Sequence, residues 1–205
     1  MMPGVDRSLR PQNGVEPGPL GDGDRVGRVP LGPLLPVLHG GGHLGRNILP
    51  EGAPEGDRHE PALAQEVAVN FSSPIRLVVA LLPHLLEKPA AMVVNVTSGL
   101  ALAPKQSSPV YCATKAGLRS FTKALRYQAQ ARAPHVRIVE ALPPLVDTDM
   151  TRGRGRGKMR PEACAAEIVV GMEAGRNTIY VGKAKLLRAI QGLSPFLADR
   201  LMRYG

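Results

Sequence analysis

Tryptophan is absent from this 205-residue chain, and 4 Tyr with 3 Phe hold the aromatic fraction at 3%. A surface that stacks on unpaired bases needs aromatic rings, so a nucleic-acid platform is disfavoured despite a net charge of +9 at pH 7. Cysteine is equally scarce. Cys112 and Cys164 cannot build a disulfide framework, and neither stands in a C-x-x-C or Cys/His metal spacing. That usage fits a reducing, cytoplasmic setting. The opening MMPGVDRSLRPQNG has no apolar signal-peptide core, and the longest apolar stretch, Pro74 to Leu86, is interrupted by Arg76, Pro83 and His84. The expectation is a soluble chain with no membrane span.

Glycine and proline are abundant but unevenly placed. Of 23 Gly and 20 Pro, residues 1–60 hold 13 and 9. The same residues carry 6 basic and 8 acidic side chains, so the excess of positive charge belongs to the remainder, with 20 basic and 9 acidic. Pro30, Pro33 and Pro36 interrupt any element, and the triplet Gly40 to Gly42 costs a helix roughly 1 kcal/mol per residue. Residues 1–60 are therefore expected to be irregular or disordered, and residues 61–205 to form one globular domain. Its positive charge suits anionic small molecules such as phosphorylated cofactors.

From Pro61 the text alternates helix and strand. Residues 62–88 read as a helix with Leu77, Leu81 and Leu85 at i+4 spacing, widened by Val78 and Leu82, with a kink at Pro74 and an end at Pro89. AMVVNVTS, 91–98, is a β-branched run that reads as a buried strand. Residues 110–133 form a second long helix with Ala113, Ala116, Phe121, Ala124 and Leu125 available for packing. VRIVEAL, 136–142, is the next strand, stopped by Pro143 and Pro144; the TRGRGRGKMR beyond that turn is a mobile Gly and Arg alternation. A helix over 161–174, a strand over 178–181 and one terminal amphipathic helix complete the order. Strand, helix, strand, helix, strand is α/β architecture with a parallel sheet.

Tyr111 and Lys115 lie four residues apart and share one face of their helix. A cation beside a phenol favours phenolate and lowers its pKa from roughly 10 toward neutrality, giving a group that can give or take a proton. Ser98 falls at the carboxyl end of the preceding strand, where open α/β sheets bind ligands, and can hydrogen-bond a substrate oxygen. Three groups then converge on one C–O unit. A lone Tyr-x-x-x-Lys is weak, because any Lys four residues after a Tyr satisfies it; an ordinary surface pair is its bland reading.

VVNVTSGLA, then YCATKAGL with its Tyr thirteen residues after Ser98, then VRIVEALPPLVDTDM, resembles the short-chain dehydrogenase/reductase family over residues 61–205. The resemblance implies a Rossmann-like, doubly wound parallel sheet, incomplete at its N-terminal side, and an oxidoreductase that moves a hydride between NAD or NADP and an alcohol or carbonyl substrate. It makes Tyr111 the acid/base, Ser98 the holder of the reacting oxygen and Lys115 the group that tunes the Tyr and holds the nicotinamide ribose. Asn70 matches the family's helical Asn, which supports a water-mediated relay through the Lys. Pro143, Leu145, Val146 and Thr148 match the turn beside the nicotinamide, although Pro144 stands where many members have Gly. A homodimer through the helices 62–88 and 110–133 is also implied.

The family begins with a strand, a Gly-rich turn and a helix that cradle the pyrophosphate, and no such pattern precedes Asn70. Gly40, Gly42 and Gly45 spell G-x-G-x-x-G without the flanking strand and helix, and three Gly separate His39 from His43, so neither a phosphate loop nor a helical metal pair is expected. The abrupt change of text near Pro61 suggests that the first 60 residues come from a shifted reading frame or a misplaced start. Two rival readings stay open. One is a catalytically dead interaction protein that pairs through its long helices. The other is a nucleic-acid binder using Arg152, Arg154, Arg156, Lys183, Lys185 and Arg188, whose signature is a steep salt dependence.

Overall fold

The computed structural model describes residues 56–153 and 155–203. The expected irregularity of residues 1–55, the Gly40–Gly45 motif, the His39/His43 pair and Arg154 all lie outside the described residues. The first helix begins at Gly56, ahead of the boundary placed at Pro61.

Helix α1 (Gly56–Val67) and helix α2 (Ser73–Leu86) are joined by one wide turn over Ala68–Ser72, in which the Ser73 N–H returns to the Ala68 carbonyl five residues back. The expected kink at Pro74 is thus a π-type turn. Pro74 has no N–H for the Asn70 carbonyl, so the regular ladder cannot pass this point. The wide turn rotates α2 relative to α1. Val78 is buried, Leu81, Leu82 and Leu85 are half-buried, and Leu77 is exposed, so Leu77 is not in the packed stripe expected of it. Pro83 sits on the solvent side, where the Val79 carbonyl it leaves without a helical partner belongs to an exposed residue.

Strands β1 (Ala91–Val96), β2 (Val136–Leu142) and β3 (Thr178–Tyr180) form a three-stranded parallel sheet in the order β1-β2-β3. Helix α3 (Pro109–Arg132) crosses from β1 to β2, and helix α4 (Pro161–Glu173) from β2 to β3. Alternate residues feed opposite faces, as a pleated strand requires. Val136, Ile138 and Val93 pack with Leu85, Leu125 and Ala129 on the α2/α3 face, whereas Val139, Ile179, Met92 and Val94 pack with Cys164, Ile168 and Met172 on the α4 face. Gly171 lets α4 lie close to the sheet: a Cβ there meets Ile179 side-chain carbons at 2.7–2.9 Å. Helices on both faces make the sheet doubly wound, as the sequence implied.

Two expectations about the helices change. Ala113, Ala116 and Ala124 of α3 are exposed; the buried side is Cys112, Thr114, Leu118 and Thr122, because α3 meets the sheet through a partly polar seam. The terminal helix is two, α5 (Lys183–Leu193) and α6 (Pro195–Arg203), broken where Pro195 follows Ser194. The Ser194 hydroxyl accepts from the Leu197 N–H at 3.2 Å and starts the new helix. Leu102, Ala103 and Leu142 pack with Ala184, Leu187 and Ala198 beneath this pair.

Among the described residues, Ala62–Leu86 is long and apolar enough to cross a membrane by length and composition, with a mean hydropathy of 1.4. That helix runs through Arg76, Pro83 and His84, which the sequence reading counted as interruptions. In the fold it buries Glu66, Asn70 and Val78.

Candidate active site

Ser98 lies just beyond the last residues of β1 and opens a short 3-10 turn over Gly99–Ala101. Its Oγ accepts the Leu100 N–H at 3.1 Å, a cap that fixes the side chain. Main-chain bonds to β2 hold it from both sides, Thr97 N–H to the Ala141 carbonyl at 2.9 Å and Gly99 N–H to the Pro143 carbonyl at 3.1 Å. The Ser98 hydroxyl is thereby rigid at the carboxyl end of the sheet.

Pro109 starts α3, and Tyr111 falls in its first turn with Lys115 one turn on. The Ser98 side chain acts on the Tyr111 phenol as a hydrogen-bonding neighbour that favours its ionised form. Lys115 Nζ donates to the Val96 carbonyl at 3.0 Å and stands 5.7 Å from the centre of the Tyr111 ring. The structure therefore brings Ser98, Tyr111 and Lys115 to one end of the sheet.

The electrostatics differ from expectation. Burial raises the Tyr111 phenol above its ordinary value, against the opposing effect of the Ser98 hydrogen bond. Lys115 is itself lowered to about 8 by burial, so the cation that was to pull the phenol down is weakened by the same desolvation. The predicted shift of Tyr111 toward neutrality is not found, and the phenol keeps its proton at neutral pH.

Asn70 is buried in the wide turn, which packs on α3; there the neighbouring Phe71 ring lies against Gly117. Pro143 reaches Ser98 through the Gly99 bond already described. Val146 packs with the α4-side core, Leu145 is exposed, and Thr148 is engaged in its own turn, where its N–H donates to Thr151 Oγ1 at 3.0 Å. The loop after Pro144 is closed at its neck by Asp147 N–H to the Met159 carbonyl at 2.8 Å and Met159 N–H to the Leu145 carbonyl at 2.9 Å. Gly153, Gly155 and Gly157 all have positive φ, which accounts for the Gly alternation in this loop. Beside it, Asp147, Thr148, Asp149, Arg152 and Lys158 line a polar cleft of about 280 Å³.

Sequence reasoning passed over Thr97, Arg119 and Glu140. Glu140 is a buried carboxylate in the central strand; it accepts from Thr97 Oγ1 at 2.8 Å and from Arg119 Nη1 at 2.8 and 3.0 Å. The signal was present: VRIVEAL carries one acidic residue amid apolar ones near its carboxyl end, and Arg119 continues the Tyr111/Lys115 face by one more turn.

The sequence matches the short chain dehydrogenase family over residues 47–158, more than half of the chain. The chain belongs to the short-chain dehydrogenase/reductase family. The match begins at residue 47, earlier than the Pro61 start read from the motifs. Among relatives of this family member, the uncharacterized oxidoreductase DltE of Bacillus subtilis is 46% identical over 129 residues, 60% of this chain and 50% of that one. The 11-beta-hydroxysteroid dehydrogenase-like 2 of Arabidopsis thaliana is 30% identical over 147 residues, 66% of this chain and 46% of the other. A Burkholderia cenocepacia short chain dehydrogenase solved in complex with NADP superposes with a TM-score of 0.68 at 21% identity, covering 79% of this chain and 65% of that one. The chain spans about half the length of the curated relatives it matches.

Proposed function

We propose that this short-chain dehydrogenase/reductase chain carries the proton-transfer centre of a nicotinamide-dependent reductase acting on a carbonyl group, or on an alcohol in reverse. The convergence of Ser98, Tyr111 and Lys115 carries the reading. Ser98 holds the carbonyl oxygen, and Tyr111, protonated at neutral pH, gives that oxygen its proton. Lys115 spends one donor on the Val96 carbonyl; its remaining N–H groups suit the paired hydroxyls of a ribose. These residues fit the nicotinamide-riboside end of NAD or NADP, whereas no pyrophosphate cradle occurs among the described residues. When bound, the cofactor supplies the hydride. Asn70 supports a proton relay toward Lys115: Pro74 leaves its backbone carbonyl without the usual helical donor, so a water can take that place. Pro143, Leu145, Val146 and Thr148 form the wall beside the nicotinamide.

A homodimer through α1–α2 and α3 fits the same reading, since α3 presents Ala113, Ala116 and Ala124 to solvent while α2 exposes Leu77 and Val79. The test is reduction of a panel of ketones and aldehydes with NADH and NADPH. Turnover lost in Tyr111→Phe supports the proposal. Turnover unaffected by Tyr111→Phe removes it, and dimerisation without any cofactor binding favours the catalytically dead interaction protein instead.

A further inference from the structure

Beside the apolar contact of Leu125 and Ala129 with Val136 and Ile138, helix α3 is joined to the sheet by polar bonds. Asn95 Nδ2 donates to Thr122 Oγ1 at 2.9 Å, Arg126 Nε donates to the Ile138 carbonyl at 2.8 Å, and Arg119 meets Glu140. Glu140 is the hub of this seam. Its side chain is 4% exposed, so it cannot reach water, whereas that of Arg119 is 29% exposed. Three secondary-structure elements approach this carboxylate region: Thr97 from the end of β1, Arg119 from α3, and Tyr180 of β3, whose hydroxyl accepts from Arg119 Nη2 at 3.5 Å.

The placement matters for the site. Thr97 immediately precedes Ser98, and Arg119 lies one helical turn beyond Lys115 and two beyond Tyr111. One carboxylate therefore ties the segment that bears the hydroxyl and the helix that bears the phenol and the ammonium to the same central strand. A buried ion pair is a poor device for stability, because desolvation offsets the Coulombic gain and an apolar pair of similar volume does as well. It is a good device for geometry. Directional bonds fix the rotation of α3 against a segment whose main chain is already bonded to β2 on both sides of Ser98, where a greasy contact lets the helix slide.

We infer that Glu140 is a positioning residue that sets the Ser98–Tyr111 distance by holding Thr97 on one side and Arg119 on the other. The inference rests on the proton-transfer role proposed for Ser98 and Tyr111. Proximity effects are steep, so a misplacement well under 1 Å is enough to lower kcat about tenfold.

The experiment compares the full chain with Thr97→Val, Glu140→Gln and the double variant Arg119→Met/Glu140→Met. Readouts are kcat, KM, melting temperature and the 13C signal of the Tyr111 phenol carbon at pH 7, assigned with Tyr111→Phe. Thr97→Val keeps the ion pair and removes the Thr97 hydroxyl's bonds to Glu140 and to the Ala141 carbonyl. The expected result is kcat lowered about tenfold with KM within about twofold in Thr97→Val and Glu140→Gln, and a displaced Tyr111 signal in both. The double variant regains the melting temperature but not kcat. Recovery of kcat with melting temperature, or an unmoved Tyr111 signal in folded Thr97→Val, overturns the inference. If the parent chain shows no turnover, the proposed reaction fails by itself, and the Tyr111 signal still decides whether Glu140 positions the pair.

Discussion

Lys115 Nζ stands 5.7 Å from the centre of the Tyr111 ring while its hydrogen bond goes to the Val96 carbonyl at 3.0 Å. The cation is thus anchored to the strand that precedes Ser98, within reach of the phenol without being its direct partner. Burial acts on both groups, and each keeps the uncharged form more readily than in water.

The pH dependence of the proposed reaction follows from those directions. With Tyr111 raised above its ordinary value, the phenol stays protonated throughout the neutral range and is a weaker acid than free tyrosine. Carbonyl reduction should be flat in its dependence on Tyr111 from pH 6 to 8, while alcohol oxidation should climb with pH. Cofactor KM should rise as pH passes about 8, where Lys115 loses its proton, and Lys115→Met should abolish that rise. Initial rates in both directions across pH 6–10 check this.

Stability should respond to the same lysine. The unfolded chain holds the Lys115 proton to 10.5 and the folded chain only to about 8, so between these values unfolding takes up a proton and stability rises with pH. Below about 8 the folded protein carries the full cost of a desolvated ammonium. Lys115→Met should therefore stabilise the fold at pH 7, by on the order of 2 kcal/mol, and the gain should fade toward pH 10.5. Urea melts at pH 7 and pH 10 measure it.

Much of this fold could be read from local text. Strand 136–142 is bounded by a His and a Pro and filled with β-branched residues, and the observed β2 has those limits. The Tyr111/Lys115/Ser98 group was legible because helical and strand-end spacing place side chains on known faces. The features that stayed hidden depended on distant partners. Nothing near Ala113, Ala116 or Ala124 reveals that α3 adds Lys115, Arg119, Thr122 and Arg126 to the side it packs on the sheet with Leu125 and Ala129. The sign of the Tyr111 shift depends on burial, which the i+4 pair does not contain.

Close packing of α4 gives a structural check. Gly171→Ala places a Cβ within 3 Å of the Ile179 side chain and should destabilise by about 1–3 kcal/mol. Ile179→Val should recover part of that loss in the double variant, because the crowding carbons are those of Ile179. Thermal melts of the two single variants and the double decide whether the contact is the cause.

Association tests the exposed helix face. Ala116→Asp or Ala124→Asp should leave the melting curve within about 0.5 kcal/mol of the parent, since both positions are exposed, and should shift a dimer to monomer. Sedimentation velocity distinguishes the two states. An unchanged oligomer in both variants places the contact elsewhere.

The most direct test of the site is titration of NADH and NADPH into the purified chain, monitored by nicotinamide fluorescence, with Lys115→Ala and Tyr111→Phe alongside. A site in which Lys115 holds the nicotinamide ribose predicts saturable binding that Lys115→Ala weakens about tenfold or more, while Tyr111→Phe binds but does not turn over. No binding up to millimolar cofactor, or binding indifferent to Lys115→Ala, contradicts it.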